Sequence, residues 1–151
     1  MSRAMPDLSA GATSAPVFSL KPIGYVSSPL VDRAHAPKQG NEGSPEAWLV
    51  FAPEFQAGLS DLQAADEILV LTWLDRAVRD TLSVHPRDDL TAPLRGVFST
   101  RSQDRPNPVG IHRVRIVAVE SPTRIKVLDM EAFDATPIID VKPVLDRVKE
   151  R

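Results

Sequence analysis

The chain has 151 residues, a length suited to one compact domain, and its 42% hydrophobic content can fill an ordinary core. Its 18 Lys and Arg against 20 Asp and Glu leave a formal charge of -2, so any nucleic-acid surface must be local. With no Cys, disulfides, thiolate metal sites and Cys nucleophiles are excluded, which fits a reducing, cytoplasmic setting.

Residues 1–19 are rich in Ala, Ser, Pro and Gly and lack the apolar block of a signal peptide; they read as a flexible tail ahead of a single domain over residues 20–151. No apolar run approaches the roughly 20 residues that would span a bilayer. Short Val-, Ile- and Leu-rich runs then predict strands over Ile23 to Ser27, Ala47 to Phe51, Ile68 to Leu74, Gly96 to Thr100, Ile111 to Val119 and Arg124 to Met130. The unbroken Ile68-Leu69-Val70-Leu71 predicts burial on both faces, whereas Val114-Arg115-Ile116 alternates as a half-buried strand does. One short helix is predicted over Pro53 to Ala65, with Pro53 in its first turn and Phe55, Leu59 and Leu62 at helical spacing.

Strands joined by turns predict a mainly β fold, a small antiparallel barrel. No G-x-G-x-x-G follows a strand, so a Rossmann-type nucleotide loop is excluded. His35, His85 and His112 share no metal-ligand spacing, and Asp88 and Asp89 read as an exposed turn, so no metal is expected.

The most informative stretch is Gly96-Val-Phe-Ser-Thr-Arg101-Ser-Gln-Asp-Arg105-Pro106-Asn107-Pro108-Val-Gly110-Ile111. Two prolines flank Asn107 and stiffen the loop. From Leu90 to Arg115 there are five arginines and one acid, a local positive surface hidden by the net charge. A guanidinium is a planar fork for carboxylate or phosphate, so a rigid basic loop suits an anionic ligand; Arg101 and Arg105 tying the loop to its own carbonyls is the open alternative.

The pattern R-S-x-x-R-P-N-P-x-G resembles the hallmark of the TrmO family, also called YaeB- or VirR-like. Two further blocks resemble family segments in the same order: Ile23-Gly24-Tyr25-Val26-Ser27-Ser28-Pro29 with Ala36-Pro37-Lys38-Gln39, and Asp134-Ala135-Thr136-Pro137 through Asp140-Val-Lys142-Pro143. The resemblance implies a homodimeric, non-Rossmann β-barrel that uses S-adenosylmethionine to methylate the exocyclic amine of threonylcarbamoyladenosine beside the tRNA anticodon. It implies a cofactor site at Pro37, Lys38, Gln39, Asp75, Arg76, Arg101, Ile111, Leu128, Asp129, Met130 and Glu131. These types suit a ligand that carries a carboxylate, an ammonium, a ribose and an adenine.

Arg105, Asn107, Arg113 and Arg115 are the candidate tRNA contacts, with Arg113 and Arg115 on one face of a strand, opposite Val114 and Ile116. Because the amine must lose a proton as it is alkylated, Asp134 and Asp140 are candidate acceptors, although either could instead brace the turn at Thr136 and Pro137. Four positions depart from the family pattern: Asp75 for His, Glu131 for Asp, Ala135 for Gly, and Val144 for an aromatic residue. The chain ends soon after Lys142-Pro143, short of the C-terminal extension of longer members, so tRNA would be gripped by the barrel, its arginines or a second subunit. The alternatives are methylation of a small molecule, or cofactor binding without catalysis.

Overall fold

A computed structural model describes residues 3–9, 16–31 and 46–145. Val26, Leu49, Ile68, Val70, Val114, Ile116, Ile125, Val127 and Ile138 are each at most 1% exposed. Those sharing a strand lie two residues apart, as a pleated strand requires when one face turns inward. The elements are β1 (Gly24–Ser27), β2 (Ala47–Phe51), β3 (Glu67–Trp73), β4 (Ser83–Val84), β5 (Arg95–Gly96), β6 (Val109–Ser121), β7 (Arg124–Leu128) and β8 (Pro137–Pro143). Six of them pair antiparallel in the order β1-β2-β7-β6-β3-β8, and β8 returns to β1, closing the mainly β barrel expected from the sequence. Closure removes exposed edges, and the inward side chains fill the interior. The remaining strands, β4 and β5, form a two-stranded ribbon of their own.

Four details differ from the sequence reading. The segment Gly96 to Thr100 is a turn of 3-10 helix over Val97–Ser99 rather than a strand. Ser99 Oγ donates to the Gly96 carbonyl at 3.1 Å and Thr100 Oγ1 to that of Val97 at 2.9 Å, local bonds that compete with a sheet ladder. The predicted helix forms as 3-10 helix over Pro53–Leu59 only. Gly58 weakens propagation, and Leu59 already reaches the core, with Leu62 packed against it. In β3 burial alternates instead of being continuous, because a barrel wall has one covered face; Ile68, Val70 and Thr72 point inward, while Leu69 and Leu71 are half-buried. The motif at Pro137–Pro143 is itself a strand, β8, with Ile138 fully buried between β1 and β3.

The turn before β8 is tied to the barrel by its backbone. Asp134 N–H donates to the Leu30 carbonyl and Ala135 N–H to that of Val26, both at 2.7 Å. Ala135 holds φ at 68° there, a left-handed geometry that its Cβ makes costly. Ala135→Gly should therefore stabilise the protein by about 1 kcal/mol, the steric gain exceeding the extra unfolded-state freedom of glycine, and raise the melting temperature by about 3 °C. Calorimetry showing an unchanged or lower melting temperature would contradict the strain.

Candidate functional site on the outer face of the barrel

Along β6 the two faces separate cleanly. Gly110, His112, Val114 and Ile116 are buried, while Val109, Ile111, Arg113 and Arg115 are exposed. The exposed row forms the floor of an open cleft of about 1630 Å³. Its walls come from the segment after β3 (Leu74, Asp75, Arg76), the stretch from Val84 to Arg105, and the end of β7 with the segment that follows it (Leu128, Asp129, Glu131 to Phe133).

Asp75, Arg76, Arg101, Ile111, Leu128, Asp129 and Glu131, scattered over four stretches of chain, therefore line one cleft, and Arg105, Arg113 and Arg115 line it too. Met130 does not: it is fully buried in the core, since the chain turns at Asp129 with φ 71° and sends the next side chain inward. Pro37, Lys38 and Gln39 lie outside the described residues. Asp134 and Asp140 are not part of the lining. Asp134 Oδ1 accepts the Ser28 N–H at 2.9 Å, and Asp140 accepts its neighbour Val141 N–H at 2.9 Å and pairs with Lys142 Nζ at 3.2 Å.

The arginines divide by what occupies them. Arg105 Nε donates to the Ser102 carbonyl at 2.7 Å, and its Nη2 donates to the carbonyls of Val97, at 2.8 Å, and Thr100. It thereby fastens the central loop to itself. Arg113 Nε donates to Glu67 Oε2 at 2.7 Å, and Arg115 Nη2 lies 3.6 Å from Glu67 Oε1. The hydrogen bond from Arg113 holds the Glu67 carboxyl below the usual carboxylate range, with the charges of Arg113 and Arg115 adding to it. Glu67 therefore stays ionised at neutral pH, and the pairing is lost only as pH falls through its lowered value. Arg76 donates to the Val31 carbonyl at 2.8 Å and stacks over the Phe133 ring. Arg95 and Arg101 are the exposed cleft arginines with no hydrogen bond or ion pair among the described residues.

Two groups escaped the sequence reading. Arg79 stacks over Trp73, donates to the Pro106 carbonyl at 2.7 Å and reaches Asn107 Oδ1 at 3.0 Å, so it clamps the loop from outside; nothing in its local sequence signals this. His112, 5% exposed, joins Thr72 and Glu131 within the barrel wall, with Nε2 2.7 Å from Thr72 Oγ1 and Nδ1 3.3 Å from Glu131 Oε1. The alternation of Val114 and Ile116 extends back to position 112 and marks it as inward-facing. Among the described residues, no cluster of His, Asp and Glu could hold a metal ion.

Arg105→Ala removes three bonds that no solvent-exposed substitute restores, so the loop should loosen while the barrel persists. Hydrogen exchange of the amides from Thr100 to Asp104 should accelerate by an amount equivalent to about 2 kcal/mol of lost protection, with the β3 and β6 amides unaffected. Unchanged exchange in the loop would show that the prolines alone hold it.

Known proteins share both the sequence and the fold of this chain. A family model described as the tRNA-methyltransferase O N-terminal domain matches residues 25–149. The chain is 40% identical over 134 residues to an S-adenosyl-L-methionine-binding protein of Archaeoglobus fulgidus, covering 87% of this chain and 94% of that one. It is 39% identical over 129 residues to a probable S-adenosyl-L-methionine-binding protein of Methanothermobacter thermautotrophicus, covering 85% of this chain and 91% of that one. The crystal structure of TrmO from Pseudomonas aeruginosa matches with a TM-score of 0.70 at 26% identity, over 89% of this chain and 59% of that one. This chain thus spans less than two thirds of the solved protein. A match that runs from the first barrel strand to beyond the last makes the chain a member of the TrmO family.

Proposed function

We propose that this protein is an S-adenosylmethionine-dependent methyltransferase whose substrate is the exocyclic amine of threonylcarbamoyladenosine next to the tRNA anticodon. The observation that carries the reading is the pair of guanidiniums, Arg95 and Arg101, that have no partner among the described residues and lie in a cleft also lined by the carboxylate of Glu131. Two carboxylates come with the proposed reactants, one on the cofactor and one on the threonyl group of the nucleoside. Each matches a free guanidinium fork. The names of the archaeal relatives, which say that those proteins bind or probably bind S-adenosyl-L-methionine, support the same cofactor here.

The residues fit such a ligand. Arg101 takes the carboxylate, Glu131 accepts from a hydroxyl or ammonium, and Ile111 and Leu128 offer half-exposed apolar surface to the adenine. When bound, S-adenosylmethionine supplies an electrophilic methyl group, so the chain needs no nucleophile of its own. Its task is alignment of the amine, together with a route for the departing proton. Asp75 and Asp129 stand exposed in the cleft wall as acceptors, whereas Asp134 and Asp140 lie outside the lining. Arg113 and Arg115 extend the basic floor towards the RNA backbone, with Glu67 competing for them.

Isothermal titration should detect S-adenosylmethionine binding, and Arg101→Ala should weaken it by about 1.5 kcal/mol, the low end for a charged hydrogen bond at an exposed site. Unchanged affinity in that variant would remove Arg101 from the cofactor site. For tRNA, Arg113→Ala should reduce the slope of log affinity against log salt by about one unit, and Glu67→Gln should tighten binding by releasing both arginines. Superimposable titrations of wild type and both variants would instead favour a small-molecule substrate.

A further inference from the structure

We infer that His112 is a positioning residue, acting from inside the barrel wall to hold the Glu131 carboxylate in the cleft wall, where it meets a hydroxyl or ammonium donor of the cleft ligand. The inference rests on the cofactor reading above and adds to it a residue that does not itself touch the ligand. An imidazole at an inward strand position is costly unless both ring nitrogens are satisfied, and here both are. A carboxylate only accepts, so Nδ1 donates to Glu131 Oε1 and, in that neutral tautomer, Nε2 accepts the hydroxyl proton of Thr72. The chain thereby fixes a direction, Thr72 to His112 to Glu131, running from the core to the cleft.

Space for this relay is built into β6. A Cβ at position 110 would sit 2.8 Å from His112 Nε2 and collide with Thr72 Oγ1, so glycine there keeps the hydroxyl and the ring in contact. The far end of the relay reaches the cleft: Glu131 belongs to its lining with the side chain 26% exposed, while Oε2 is buried and has no hydrogen-bond partner among the described residues. A carboxylate that lines the cleft and is held from behind by a buried histidine is the arrangement of an outer-shell residue orienting a ligand-binding group.

The test uses two substitutions that each keep one of the two contacts. In His112→Asn the amide nitrogen lies near the Nδ1 position and can still donate to Glu131, whereas in His112→Gln it lies near Nε2 and can serve only Thr72. Calorimetry with S-adenosylhomocysteine should give a roughly tenfold loss of affinity for the Gln variant and less than about threefold for the Asn variant. In a Glu131→Ala background the Gln substitution should cost nothing further. Equal affinities for the two variants, or a Gln effect that persists without Glu131, would overturn the inference.

Repeating the pair with 5′-methylthioadenosine, which keeps the ribose but lacks the amino acid, identifies the donor. Dependence on His112 that survives assigns a ribose hydroxyl, and dependence that disappears assigns the ammonium. Should the variants fail to fold, nitrogen NMR of the wild-type ring decides: a proton on Nδ1 is expected, and a neutral ring protonated at Nε2 would overturn the relay. If wild-type protein binds neither nucleoside, the cofactor reading falls, and the ring tautomer still tests the relay on its own.

Discussion

The two-residue period of β6 is the constraint on which the rest of the molecule depends. Thirteen residues run from Val109 to Ser121 in one strand that pairs with β3 on one side and β7 on the other. A slip of one residue would bring Arg113 and Arg115 into the barrel and turn Val114 and Ile116 to solvent, which no neighbouring group could offset. Register is therefore strongly specified, and with it the position of every outward residue. Ile111, Arg113 and Arg115 form the cleft floor because Val114 and Ile116 fill the core.

The walls of the cleft are less regular, and their rigidity has other sources. Arg105 satisfies three carbonyls of its own loop, Arg79 clamps Asn107 from outside against Trp73, and Asp104 Oδ1 accepts the Val78 N–H at 2.9 Å. Charged side chains here serve as braces, which leaves few of them for ligands. The division explains how one short basic stretch holds both structural arginines and free ones, and why counting charge along the sequence cannot separate the two.

Much of the barrel was legible because alternation and turn signals are local. Val114 and Ile116, or Ile125 and Val127, announce an inward face by themselves. What stayed hidden was decided by partners distant in sequence. β8 read as a motif because Pro137 and Asp140 mask a strand whose role, sealing β1 to β3, exists only once the barrel closes. Gly96 to Thr100 carries strand-like Val and Phe, but its serine and threonine hydroxyls bond to carbonyls three residues back and curl the chain. At the site, Ile111, Leu128 and Glu131 were nameable from the family pattern, whereas Met130, adjacent to two of them, points inward after a left-handed turn at Asp129. His112 was passed over for lacking metal spacing, although its place in the β6 alternation already marked it as a buried polar group in need of partners.

The central claim is that this cleft brings a methyl donor to a carboxylate-bearing adenosine in tRNA. The most direct test incubates the purified protein with S-adenosylmethionine and two tRNA preparations, one carrying threonylcarbamoyladenosine and one carrying plain adenosine at the same site, followed by nucleoside mass spectrometry. The account predicts one added methyl group on the threonylcarbamoyl nucleoside and none on the unmodified adenosine. Protein that binds S-adenosylmethionine yet leaves both nucleosides unchanged would contradict it.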